Sequence, residues 1–135
     1  MMKRSIQLAI FISAIFWATA ALAHHSMAGT YDTARSTTIR GVLTEIGWRN
    51  PHAFVVMNAR DPNGKIVNWR IEIAAPNALS RLGLTPQMLD LTSTYSVEIW
   101  PARDGSFNAS GRSLTFPDGR QFDIHDVWGP AGLSN

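Results

Sequence analysis

Between Lys65 and Ala74 the chain alternates, with Val67, Trp69, Ile71 and Ile73 apolar and Asn68, Arg70 and Glu72 polar or charged between them. A period of two is the side-chain repeat of a strand with one face on a core and the other toward water. No other stretch of the chain signals its secondary structure so clearly. Just ahead of it, Asp61-Pro62-Asn63-Gly64 supplies turn residues, so Ala53 to Arg60 reads as the first arm of a hairpin and Lys65 to Ala74 as the second.

Upstream, Ser36 to Trp48 is rich in Thr, Val, Ile and Leu, with Ile39 and Leu43 on one parity and Val42, Ile46 and Trp48 on the other. Apolar residues on both faces, with Gly41 and Gly47 inside, predict a long strand that bends at glycine and serves two sheet surfaces. Asn50-Pro51 ends it. Downstream, Pro76 to Leu82 reads as a short helix with proline early and Gly83 as its C-terminal cap, and Thr85-Pro86 starts a second helical turn reaching Leu89. Tyr95 to Trp100 is a fourth strand, Asp104-Gly105 a turn and Ser110 to Phe116 a fifth strand. After Pro117-Asp118-Gly119 comes a short strand from Gln121 to Ile124. Three strands, a small helical connection and two or three more strands form the element order of an oligonucleotide/oligosaccharide-binding (OB) barrel. The fold class is therefore expected to be mainly all-β: a small OB-like antiparallel barrel of five to six strands. Its short helical connection lies between strands 3 and 4. An open meander sheet with one covering helix is the alternative.

The ends of the chain read differently. Met1 to Arg4 is short and basic, Ile6 to Ala20 is an apolar run, and Ala21-Leu22-Ala23 is the small-x-small pattern of a signal-peptidase site. The expected organisation is a signal peptide over 1–23, an N-terminal arm over 24–35, the barrel domain over 36–126 and a flexible Gly/Pro-rich tail over 127–135. Export points most simply to the periplasm of a Gram-negative-type bacterium, with no stable membrane anchor after cleavage. The formal charge of the 135 residues is +2, and loss of Lys3 and Arg4 leaves ten basic against ten acidic residues. A neutral, patch-free domain has little to offer the counterion-release term that drives nucleic-acid affinity, so nucleic acid is not an expected partner. The absence of cysteine excludes a disulfide scaffold, a thiolate metal site, a cysteine nucleophile and a lipidated cysteine.

Histidine placement carries the functional reading. Cleavage after Ala23 gives a mature chain that begins His24-His25-Ser26-Met27. A terminal histidine offers its α-amine and its ring Nδ1 in one chelate, and a second imidazole completes a three-nitrogen set suited to Cu(II). His25, His52 or His125 can supply that imidazole, and Met27 is a softer ligand for Cu(I). His52 follows Asn50-Pro51 in the loop after the first strand, a usual ligand-binding region of an OB barrel. The first strand covers about 43 Å at about 3.3 Å per residue. The arm has nearly equal reach, so it can fold back beside the strand. Otherwise His52 bonds a backbone carbonyl and caps the loop. His125 lies in Asp123-Ile124-His125-Asp126, where either carboxylate can orient its ring. Trp69 fits core parity, whereas Trp100 is on the opposite parity from Tyr95, Val97 and Ile99. Trp48, Asn50 and an exposed Trp100 form a candidate ligand surface. Glu45, Glu72 and Glu98 fall on outward parity, and no G-x-S-x-G, H-E-x-x-H or phosphate-cradle glycine loop occurs, so no enzymatic activity is expected.

The chain from Ala23 to about Arg120 resembles a group of small exported bacterial proteins, catalogued as a domain of unknown function, that begin with His-His-Ser after the signal peptide. Ala23-His24-His25-Ser26, Gly41 and Trp48-Arg49-Asn50-Pro51-His52-Ala53 carry the resemblance. So do Trp69, Pro76-Asn77-Ala78-Leu79, Gly83, Ala102-Arg103-Asp104-Gly105 and Pro117-Asp118-Gly119-Arg120. The resemblance implies a periplasmic, barrel-like β protein and brings no activity with it. The expected function is non-enzymatic binding of copper or another transition metal through His24, His25 and His52, with His125 and Met27 as lesser candidates. The alternative is an OB-like module that binds an oligosaccharide or a periplasmic protein partner, the histidines being incidental.

Overall fold

The hairpin expected from the alternating segment is built from β2 (Phe54–Arg60) and β3 (Ile66–Glu72), paired in register from Phe54↔Glu72 to Arg60↔Ile66. Asp61 closes its turn by accepting the backbone N–H groups of Asn63 and Lys65 on Oδ1, both at 2.9 Å. Gly64 takes the positive φ of +82° that the turn needs. These elements belong to a computed structural model that describes residues 27–125. The expected signal segment, His24, His25, Asp126 and the expected tail lie outside the described residues. Residues up to Thr30 form a unit of their own, of which 27–30 are a helical turn. The barrel unit begins at Tyr31.

β1 (Thr37–Gly47) serves two partners, as its two-sided apolar pattern requires. Its first half pairs with β4 (Thr94–Pro101) and its second half with β2, the two ladders overlapping at Gly41 and Val42. A Cβ on Gly41 would lie 2.0 Å from the carbonyl oxygen of Asn58, so only glycine permits that crossing. β5 (Asn108–Thr115) pairs antiparallel with β4 and parallel with β3 through Arg70↔Asn108, Ile71↔Ala109 and Glu72↔Ser110. That parallel ladder closes a five-stranded barrel in the order β3-β2-β1-β4-β5, which is OB order rather than an open meander. Every other ladder is antiparallel. The extra strand β6 (Gln121–Asp123) pairs with β5 beyond the point where β3 leaves it.

The connection between β3 and β4 holds α1 (Pro76–Arg81) and a single 3₁₀ turn (Pro86–Met88), each with proline in its first turn. Gly83 at φ +84° ends α1, and the Leu84 N–H returns to the Leu79 carbonyl at 3.0 Å. This connection packs Leu79, Leu84 and Leu89 into the same core as Leu43, Met57, Ile71, Val97, Ile99, Leu114 and Ile124. Tyr95 joins them with its hydroxyl oxygen accepting the Asp90 N–H at 2.7 Å, so its one polar atom is satisfied. Among the described residues no helix is long and apolar enough to cross a membrane.

Candidate functional site

The parallel closure puts the end of β3 against β5, and two segments remote in sequence meet there. The first is the Asn50–His52 loop, whose Asn50–Pro51 peptide is cis. The Ala53 N–H donates to the Ala74 carbonyl at 3.2 Å and the Ile73 N–H returns to Ala53 at 2.9 Å, which fixes His52 beside the end of β3. The second is the arm, where Tyr31 bridges Ala102 and the Asp32 N–H donates to the Pro101 carbonyl at 2.8 Å. From Tyr31 onward the arm therefore continues alongside β4 and, over those residues, does not double back along β1.

Both segments converge on one carboxylate. Oε1 of Glu72 accepts from His52 Nδ1, and Oε2 accepts from the Tyr31 hydroxyl at 3.1 Å. Glu72 stands on the outward parity of β3, opposite the fully buried Ile71, while Tyr31 is buried and His52 half-buried. The phenol of Tyr31 is pushed up to about 12, first by burial, then by the charge and hydrogen bond of Glu72, with the charge of Arg70 opposing. Beside the cluster, Phe54 is covered by guanidinium groups, Arg70 at 3.6 Å and Arg49 at 5.1 Å from its ring centroid. Gly47 makes room for that ring, since a Cβ there would meet it at 2.0 Å.

A carboxylate that accepts from Nδ1 selects the tautomer whose Nε2 bears the lone pair, and it holds the ring against rotation. This is the arrangement found behind metal-ligating histidines. The histidine thus bonds a carboxylate, where the sequence suggested a backbone carbonyl as the alternative to ligation.

Neither hydrogen bond of Glu72 involves the other sequence candidates. Trp48 is half-buried and packed on the core, and Asn50 is exposed. Trp100 is half-buried rather than open, with the His125 ring edge-on at 4.7 Å and the Arg112 guanidinium 4.9 Å from its centroid. A bulge explains this: Glu98 pairs with Ser113 and Ile99 with Gly111, so Arg112 is the extra residue, and its side chain reaches both Trp100 and Glu98. Asp123 accepts the backbone N–H of His125 at 3.0 Å. Met27 belongs to the separate N-terminal unit. Among the described residues, no three His, Asp or Glu side chains are grouped to hold a metal ion.

Two members of the cluster escaped the sequence reading. Tyr31 lies in a polar arm, where being the sole Phe, Tyr or Trp is its only signal. The outward parity of Glu72 marks it for solvent and gives no sign of its two partners.

Residues 13–112 match the model of a family of unknown function, DUF6152, and the chain belongs to that family. The matched span includes Tyr31, His52 and Glu72. No curated protein and no solved structure matches the chain.

Proposed function

We propose that the protein is a periplasmic, non-enzymatic binding protein that takes a transition metal, copper first, at the end of the barrel where His52 sits. The observation that carries this reading is the Glu72 carboxylate on His52 Nδ1, which presents Nε2 as a ligand of fixed direction. His24 would add its α-amine and Nδ1 after signal cleavage, and His25 a further imidazole. Chain length is compatible with this set. Tyr31, seven residues after His24, is tied to the same carboxylate as His52, and seven residues span up to about 25 Å. Nitrogen ligands favour Cu(II), which heads the divalent affinity order, and Met27 suits Cu(I).

The test begins with the mass of the exported protein, which locates its N-terminus. That species is then titrated with Cu(II) beside His24→Ala and His52→Ala. The expected loss is roughly 100-fold for His24→Ala, about 2.7 kcal/mol, and roughly tenfold for His52→Ala. Equal affinity in all three proteins would overturn the metal reading.

A further inference from the structure

The outward face of the β2–β3 hairpin places two arginines next to the histidine cluster. Phe54 and Val56 point away from the core cluster and are nevertheless buried, at 5% and 8% exposure. Phe54 stands opposite Glu72 in one ladder and opposite Gly47 in the other. Its ring is covered by the guanidinium groups of Arg70, two residues before Glu72 on the same face of β3, and of Arg49, three residues before His52. A stacked guanidinium uses the face of its plane on the ring and keeps its N–H donors at the rim. Among the described residues, neither Arg49 nor Arg70 makes an ion pair, whereas Arg112 and Arg120 each hold a carboxylate at 2.8 Å. The ring also limits where the two forks can go, which lowers the ordering cost of engaging an oxyanion.

These charges bear on what the histidine can bind. A divalent cation held by His52 would share this end of the barrel with two guanidinium groups. The nearest carboxylate, Glu72, is engaged by His52 and Tyr31 and forms no ion pair with Arg70. Glu45 lies on the same outward face but on β1, with Val56 between it and Arg70, so two strand spacings of about 4.8 Å each separate their backbones. Like charges gathered at a partly desolvated site cost free energy, and an anion that arrives with the metal relieves that cost. The same anion gives the guanidinium donors their acceptor. A hydroxy-polycarboxylate suits both tasks, because one carboxylate and the hydroxyl chelate the metal while another carboxylate remains for a guanidinium fork. Inorganic phosphate has a single centre to serve both.

We propose, resting on the metal reading above, that the species bound here is an anionic copper chelate of a small hydroxy-polycarboxylate, with copper on His52 and a spare carboxylate held by Arg49 and Arg70. The experiment is equilibrium dialysis of the mature chain against radiolabelled citrate or malate, with and without equimolar Cu(II), and with radiolabelled phosphate for comparison. Cu(II) affinity is measured separately with no carboxylate present. At least one of the two carboxylates should be retained roughly tenfold more tightly with copper than without it, and more tightly than phosphate. Arg49→Gln and Arg70→Gln should each lower that retention about tenfold while affinity for bare Cu(II) stays level or rises, as removal of a like charge requires. A purely structural role would lower both. The proposal alone falls if copper binds and neither carboxylate is retained, if phosphate is retained as tightly, if both variants retain the carboxylate as the native chain does, or if they lose bare copper in parallel. If bare Cu(II) does not bind the native chain, the metal reading falls and takes the proposal with it.

Discussion

Glu72 in β3 and Glu98 in β4 both lie on the outward parity of their strands, and each is reached by the segment that precedes β1. Tyr31 donates to Glu72, and Ser36 donates to Glu98 at 2.6 Å. From there the two regions diverge. Glu98 also accepts from Arg112 at 2.8 Å and, at 3.4 Å, from the Ser113 hydroxyl. Its carboxyl is held below the usual range, first by the Ser36 hydrogen bond and then, against some desolvation, by the charge of Arg112. A guanidinium keeps its charge at every accessible pH, so Glu98 is pinned. Glu72 instead has an imidazole and a buried phenol as its partners. The same residue type on outward parity is thus a fixed strut in one place and, in the other, a carboxylate that orients a histidine.

The largest expected difference is in stability. Glu72→Ala removes the acceptor of a buried phenol hydroxyl and of a half-buried imidazole, and should cost about 3 kcal/mol. Glu98→Ala leaves groups that water can reach and should cost about 1 kcal/mol. Urea denaturation of both variants decides the matter, and equal losses would erase the distinction. Next comes Cu(II) affinity, where Glu72→Gln should lower binding by up to about tenfold, no more than His52→Ala, through the loss of ring orientation. Glu98→Gln should leave it unchanged in the same competition titration.

The pH dependences should separate the regions further. Because the folded-state value of Tyr31 lies above its unfolded value of 10.0, its contribution is complete below about pH 10 and is lost as pH rises through about 12. Denaturation midpoints measured across that window should fall for the native chain and stay flatter for Tyr31→Phe. Glu98 has the opposite sign: its contribution is present above the ordinary glutamate range and disappears as acid protonates it. Glu98→Gln should remove only part of the acid sensitivity, since Asp90, Asp104 and Asp118 are lowered in the same direction by hydrogen bonds in their turns. This is the smallest of the four effects, and an acid limb identical to that of the native chain would remove Glu98 from the account.

Local signals were the legible ones. The alternation of Val67 to Ile73, the Asp61–Gly64 turn and the cap at Gly83 are written within a few residues, and the element order was enough to suggest the barrel. Contacts across the closure were not legible, because parity states which face a side chain takes and not which distant strand lies beside it. The pairing of Glu72 with Ser110 and the approach of Tyr31 both depend on that closure. Trp100 departs from simple alternation for a related reason: parity along β4 predicts exposure, whereas the bulge at Arg112 brings a guanidinium over its ring, which is half-buried.

The handover on β5, from β3 at Asn108–Ser110 to β6 at Ser113–Thr115, bears on how the protein behaves among its neighbours. An unpaired strand margin is a template on which another chain can add a strand, and from there grow into fibres. Here the margin of β5 is occupied along nearly its whole length, and the outermost strand, β6, is only three residues long. A very short edge strand is one way such a margin is blunted. A chain cut before Gln121 would bare Ser113–Thr115, so among the described residues the last strand covers an edge that would otherwise stand open.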